Sequence, residues 1–268
     1  MIPTIITPMN DTSFINALIV GVSIALLASQ IGIFVVGKKL SFLGDTLSHG
    51  AFTGIAIGLL IGIHPTITIF TFAVALALIL TWLQEKSELS NDTYLAIFFS
   101  SLLALGIMIF GEEIELNEYL FGDINNVQFL DMLIAITVSG VVLSTLWLNF
   151  RKFIMTVVDK DIAQTKGINV SRYNYLFVVL LALTTAVTIK VIGILLFSAL
   201  LVIPAASALI LAKNLARSFV YSWVIAEMMV ILGLFISYYG HTPSGPTMII
   251  VGTGIFILSN IYRLVVKP

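Results

Sequence analysis

The chain has 268 residues, of which 59% are apolar and only 10% charged, and it contains no cysteine. Soluble domains are about 45–50% apolar and about 25% charged, so this composition excludes an ordinary soluble enzyme. The formal net charge of −1 offers no basic surface for nucleic acid, and the lack of cysteine excludes disulfides and thiolate zinc sites. We therefore expect an all-α, polytopic transmembrane bundle that forms a single domain over residues 1–268.

Nine stretches of the chain are long and apolar enough to be membrane-spanning helices, which need about 20 mostly apolar residues. They cover residues 14–36, 42–62, 65–83, 94–110, 129–149, 174–190, 193–212, 218–237 and 246–262. The sixth and seventh stretches meet at residues 190–193, so eight spans remain an alternative to nine.

Basic residues predict the orientation of the bundle. With nine spans and an outer N-terminus, twelve of the thirteen lysines and arginines fall in inner segments, and only Lys190 falls outside. Cytoplasmic segments of membrane proteins carry such an excess of basic residues. The loop at 111–128 is acidic and has no basic residue, which is typical of an outer loop.

The longest inner segment, about 151–173, contains a predicted short helix at residues 159–166. Asp159 or Asp161 would lie near its N-terminus, and Gly167 would end it. This segment is either a solvated connector or a docking element for a partner that drives conformational change.

The second stretch carries two ionisable side chains, Asp45 and His49, which are costly near the centre of a bilayer. Their spacing of four places them about 6 Å apart on one helix face. A carboxylate and an imidazole are ligands for a divalent cation such as Zn²⁺. The alternative is a local hydrogen bond between them that allows both to be buried.

Four glycines follow at a spacing of four residues: Gly50, Gly54, Gly58 and Gly62. Such a stripe lets a neighbouring helix approach closely. It predicts close packing and says nothing about chemistry.

Glu227 lies in the middle of the eighth stretch, with no basic residue near it in sequence. It is either a third metal ligand beside Asp45 and His49, or a protonated glutamate bound to a backbone carbonyl. For His64 and Asp131, at span ends, we expect no functional role. For His241 we favour a turn residue, and the alternative is contact with an incoming ion. Residues 32–39 contain a G-x-x-x-x-G-K pattern, but they end an apolar stretch and lack the hydroxyl of a nucleotide-binding loop, so we expect no nucleotide site.

Several motifs together resemble the metal-ion ABC transporter permeases, the family for zinc, manganese and iron uptake, and are most similar to its zinc branch. They are FLGDTLSHGAFTGIAIG (42–58), NDTYLAI (91–97), YLFGDI (119–124), LALTTAVTIKVIGILLFSALLVIPAASA (181–208) and HTPSGPTMIIV (241–251). The resemblance extends from about residue 15 to 265.

This resemblance implies a permease subunit of the bacterial inner membrane that forms a homodimer, is surrounded by lipid and binds no cofactor permanently. The expected partners are a cytoplasmic ABC ATPase, which hydrolyses ATP, and an extracytoplasmic metal-binding protein. The resemblance favours Zn²⁺ as the transported ion, with Mn²⁺ or iron as alternatives, and Asp45 and His49 match the family motif. Coupling to the ATPase is expected at Asp161, Ala163, Gln164 and Gly167.

A secondary transporter is the competing hypothesis. In it, Asp45 and Glu227 would carry protons, and the chain would move metal without an ATPase.

Overall fold

The computed structural model describes residues 12–86, 89–110 and 128–266, and within these ranges the chain is helical, with no strand. The helices are α1 Thr12–Gly37, α2 Ser41–Leu60, α3 Pro65–Lys86, α4 Asn91–Phe110, α5 Phe129–Leu148, α6 Phe150–Val158, α7 Lys160–Thr165, α8 Val170–Ile192, α9 Ile194–Leu211, α10 Leu215–Gly240 and α11 Ser244–Val266. All nine predicted stretches form helices. The acidic loop and the YLFGDI motif lie outside the described residues.

Eight helices of the described chain are long and apolar enough to cross a membrane, so the protein is a multi-pass membrane protein. The ninth long helix, α2, is not among them, although it has 20 residues. Its sequence is more polar because it contains Asp45, His49 and several hydroxyl residues. Contacts with α3, α4, α8 and α9 surround α2, so protein rather than lipid covers most of its surface.

The helices form two groups. Helices α1, α9, α10 and α11 pack on one another, whereas α2 packs between α3 and α4, and α3 also contacts α8. Helix α5 bridges α1 and α8, and α9 contacts α2, so the two groups share one continuous apolar core.

Gly193 alone separates α8 from α9. Its backbone has φ 89° and ψ 170°, a region that is essentially restricted to glycine. The sixth and seventh predicted stretches are therefore two helices that meet at a glycine joint, and both belong to the eight candidate spans.

Leu201 of α9 fits between α1 and α2 because each of these helices has a glycine opposite it. A Cβ on Gly32 would lie 2.0 Å from the carbonyl oxygen of Leu201, and one on Gly44 would lie 2.8 Å from its Cδ2. Real Cβ atoms essentially never come closer than 3.0 Å to such atoms, so the backbone of α1 at Gly32 lies directly against the backbone of α9 at Leu201.

The predicted glycine stripe of α2 is confirmed at three of its four positions. A Cβ on Gly50, Gly54 or Gly58 would meet a side chain of α3 at 2.1, 2.7 or 2.3 Å. Gly62 differs, because it lies beyond the end of α2, has a positive φ of 71° and has nothing within 4 Å of an added Cβ. It therefore serves the turn before α3 rather than the packed stripe.

The predicted short helix of the 151–173 segment is confirmed as α7. The Asp159 carboxylate accepts hydrogen bonds from the backbone N–H groups of Asp161 (2.9 Å) and Ile162 (3.0 Å), which caps the N-terminus. At the other end Gly167 has φ 76°, and its N–H bonds Gln164 O while the N–H of Ile168 bonds Ala163 O. This pair of bonds is the Schellman arrangement that ends helices at glycine.

Candidate functional site

Two threonines of α2 fix this helix against α4. Thr46 Oγ1 donates to the carbonyl oxygen of Leu95 at 3.2 Å, and Thr53 Oγ1 donates to that of Leu102. The two residues are seven apart and therefore lie on the same face. The sequence analysis missed this contact, although hydroxyl residues at a helical spacing in an apolar helix were the available signal.

The remaining face of α2 carries the two candidate metal ligands. Contacts with α3, α4 and α9 bury most of the helix, whereas Phe42, Asp45 and His49 are half-buried. Their positions at i, i+3 and i+7 form one stripe along the helix. The carboxylate and the imidazole therefore share the least covered face of an otherwise enclosed helix.

The His49 ring is positioned by an aromatic residue of α4. It meets the Phe99 ring edge to face, with 4.5 Å between ring centroids, and Phe99 also packs on Phe42. Nδ1 of His49 is buried and has no hydrogen-bond partner among the described residues. Such orphaned buried nitrogens are uncommon in folded proteins and point to a function.

Asp45 lies one helical turn before His49, but no hydrogen bond joins the two side chains in the part of the chain that the structure describes. The local Asp–His hydrogen bond, which is the alternative explanation of the pair, is therefore not formed. One oxygen ligand and one nitrogen ligand remain available on the same face.

Glu227 lies on a different part of the bundle. Its helix, α10, packs on α1, α9 and α11, whereas α2 packs mainly on α3 and α4. Trp223 Nε1 donates to Glu227 Oε1 at 2.8 Å, and Oε2 is buried without a partner among the described side chains. The described residues contain no cluster of three metal-ligating side chains, so one chain does not bring Glu227 to Asp45 and His49.

The candidate coupling residues divide into two kinds. Ala163 is fully buried and therefore anchors α7 to its own chain, and Gly167 ends the helix. Asp161 and Gln164 are exposed, and Ile162 between them is 52% exposed, which the sequence analysis did not single out. The outer surface of α7 thus presents one apolar side chain, Ile162, flanked by polar side chains.

The other two histidines occupy turns. His64 lies in the turn before α3, where its Nδ1 accepts from the N–H of Thr66 at 3.3 Å. His241 ends α10 in a left-handed conformation with φ 50°.

Residues 10–263 match the ABC 3 transport family. The chain belongs to this family. The resemblance drawn from its motifs is thereby confirmed, and the matched residues include α2, α7 and every long helix of the described chain except the last three residues of α11.

Two proteins of metal uptake systems are similar to the chain over nearly its full length. The chain is 34% identical to the high-affinity zinc uptake system membrane protein ZnuB of Haemophilus influenzae, over 92% of this chain and 96% of that protein. It is also 34% identical to the manganese import system permease protein ScaB of Streptococcus gordonii, over 97% of this chain and 95% of that protein. Overall identity therefore does not separate zinc from manganese.

A solved structure has the same fold. PsaBC from Streptococcus pneumoniae in complex with Fab superimposes with a TM-score of 0.83 at 31% sequence identity, over 92% of this chain and 91% of that chain. This match supports the all-α permease bundle that the sequence predicts.

Proposed function

We propose that this chain is the permease subunit of an ATP-driven importer of divalent metal ions. The observation that supports it most directly is the pair of Asp45 and His49 on the least covered face of α2, with the His49 Nδ1 free of any partner among the described residues. The family membership and the zinc and manganese systems named for its relatives agree with this role.

The transported ion is Zn²⁺ or Mn²⁺. Imidazole nitrogen suits zinc, and carboxylate oxygen suits manganese as well as zinc. Two protein ligands with water in the remaining positions bind more weakly than a closed site of four ligands, and an ion in transit must be released. Within one chain Glu227 does not lie near the pair, so a third protein ligand would have to come from elsewhere in the assembly.

In the proposed orientation α7 lies in the cytoplasm. Lys38 and Lys39 of the α1–α2 turn line the same cavity as Lys160 of α7, so these basic residues lie at one end of the bundle. With α2 counted as the ninth crossing, the excess of basic residues favours a cytoplasmic location for this end, with the N-terminus outside and the C-terminus inside the bacterial inner membrane.

Energy would come from a partner. The exposed Ile162 of α7, flanked by Asp161 and Gln164, offers the cytoplasmic ABC ATPase a docking surface. ATP hydrolysis would occur on that subunit, a second copy of this chain would complete the pathway, and an extracytoplasmic binding protein would deliver the metal.

Uptake by the assembled transporter in proteoliposomes tests the proposal. Asp45→Asn and His49→Ala should each nearly abolish uptake of both Zn²⁺ and Mn²⁺, without loss of assembled protein, because each removes one ligand. Asp92→Asn and His64→Ala are matched controls, since both residues are exposed and lie outside α2. Transport at the wild-type rate by either ligand variant would exclude this site.

Two further transport measurements test the role of Glu227 and the hypothesis of a secondary transporter. If Glu227→Gln carries both metals as well as wild type, Glu227 is structural. If the isolated chain accumulates metal under a proton gradient without the ATPase, the chain is a secondary transporter and the proposal is wrong.

A further inference from the structure

A second polar site lies at the end of the bundle that carries α7. It is a cavity of about 330 Å³ between the α1–α2 turn, the end of α3, the α6–α7 segment and the start of α8. Three lysines line it, together with three side-chain amides: Lys38, Lys39, Lys160, Gln84, Asn91 and Asn174. This volume is at the small end of the range of about 300–1,000 Å³ for ligand sites, so it suits a small ligand.

Lys38 is the central cation of this cavity. Its Nζ donates to Asn174 Oδ1 at 2.8 Å and to Thr156 Oγ1 at 3.5 Å, and it lies 5.6 Å from the centroid of the Phe177 ring. None of the described residues accepts its third hydrogen, and no described carboxylate forms an ion pair with it. A half-buried ammonium group without a counter-ion is unfavourable, and an anion would relieve that cost.

The pKa of Lys38 agrees with this picture. Burial of the ammonium group, with a further contribution from the positive charge of Lys160, lowers the pKa of Lys38 to about 8. The group is therefore mostly protonated at neutral pH and can attract an anion there.

Hydrogen-bond donors exceed acceptors around the cavity. Nε2 of Gln84 is buried with no partner among the described residues. Leu40, at the N-terminus of α2, provides no side-chain cap for the first N–H groups of that helix, whose positive dipole end faces the turn. Glu85 is the only acidic side chain among the described lining residues, and it is exposed and accepts from Ser171 Oγ at 2.7 Å.

We propose that this cavity binds an oxyanion of the phosphate class between Lys38, Lys39 and Lys160. The anion is either soluble phosphate or the phosphate of an anionic lipid headgroup, which present the same charged oxygens to the lysines. It would connect the turn that precedes α2 with the first residue of α7, and so would stabilise the arrangement of these two elements.

The purified full-length chain in phosphate-free detergent provides the test. Inorganic phosphate should raise its melting temperature in a saturable way, because a ligand that binds only the folded state stabilises it. Lys38→Met should weaken the apparent phosphate affinity at least tenfold, and Lys160→Met several-fold. Lys213→Met is the matched control, since this lysine lies between α9 and α10 and does not line the cavity.

The pH dependence of the phosphate affinity is a second measurement, and a lysine with a purely structural role would not affect it. Between pH 8 and 9.5 phosphate remains mainly the dianion, while Lys38, whose pKa is about 8, loses most of its positive charge. The affinity should fall on the order of tenfold over this interval in wild type, and much less in Lys38→Met. Lys39, Lys160 and Glu85 are the other charged groups that face the cavity.

Nanodiscs distinguish the two sources of the anion. The ligand is the lipid headgroup if phosphatidylglycerol raises the melting temperature of wild type relative to pure phosphatidylcholine and Lys160→Met removes that increase. If only soluble phosphate raises the melting temperature, the ligand is the free anion. The proposal is wrong if neither stabilises the chain, or if Lys160→Met and Lys38→Met respond as Lys213→Met does. Stabilisation by the ATPase alone, with no response to either anion, would equally overturn the proposal.

Should Lys38→Met fail to fold, Lys38→Arg keeps the charge, and Lys160→Met changes an exposed side chain. Loss of the phosphate response in Lys160→Met, with its retention in Lys38→Arg, would then support the site. All these measurements are made without transported metal, so their outcome is independent of the proposed import function.

Discussion

Replacing Gly32 by alanine tests the close approach of α1 and α9, on which the position of α2 depends. The added Cβ would lie 2.0 Å from the carbonyl oxygen of Leu201 and 3.2 Å from Cβ of Ala205. Since such contacts essentially never fall below 3.0 Å, the two helices must separate locally by at least the missing 1.0 Å. The obstructing atom belongs to a helix backbone and cannot rotate away.

The expected cost follows from this geometry. Overpacking a well-packed core costs about 1–3 kcal/mol, and a clash with backbone belongs at the upper end of this range. Gly44→Ala should cost less, because its nearest contact at 2.8 Å is Leu201 Cδ2, the far end of a flexible side chain. Gly140→Ala should be neutral or stabilising, because nothing lies within 4 Å of the new Cβ and alanine favours helix over glycine by about 1 kcal/mol.

Thermal unfolding of the three purified variants measures these differences, with tryptophan fluorescence as the probe. The gain in helix propensity is common to all three substitutions, so the differences between them report the contacts. We expect the melting temperature to be lowest for Gly32→Ala, intermediate for Gly44→Ala and highest for Gly140→Ala. Equal melting temperatures for Gly32→Ala and Gly140→Ala would refute the close packing of α1 on α9.

The same variants connect the packing with function. Leu201 contacts the positions of both Gly32 and Gly44, and Gly44 directly precedes Asp45. A displacement of α9 is therefore transmitted to the start of α2. Gly32→Ala should reduce metal uptake by the assembled transporter even in the fraction that remains folded, whereas Gly140→Ala should not.

Two other predictions concern the α7 segment and the orientation. Asp159→Ala removes two hydrogen bonds that cap α7 and should reduce the local stability of this helix by about 0.5–2 kcal/mol. Faster hydrogen–deuterium exchange in α7 would reveal this loss, with Asp161→Ala as the control. Unchanged exchange in Asp159→Ala would contradict the capping role. Because the chain has no native cysteine, single cysteines at His64 and Lys166 report sidedness in intact cells. An impermeant thiol reagent should label the first and not the second, and the reverse pattern would invert the topology.

Local features of the sequence were enough to predict the helices. Each of the nine apolar stretches forms a helix, and α7 begins after Asp159 and ends at Gly167 as its capping residues indicate. Hydropathy, spacing and capping depend on residues within a few turns of one another, and the sequence contains this information directly. The same holds for the glycine stripe at positions 50, 54 and 58 and for the shared face of Asp45 and His49.

The tertiary structure decided which distant residues meet. It placed Gly62 in a turn rather than in the packed stripe, tied Thr46 and Thr53 to α4, and kept Glu227 away from the Asp45–His49 pair within one chain. It also brought Lys160 to Lys38, more than a hundred positions away in the chain. Helix formation is local, but the partners of each helix face depend on how all the helices pack at once. The spacing of residues along one helix therefore could not predict these contacts.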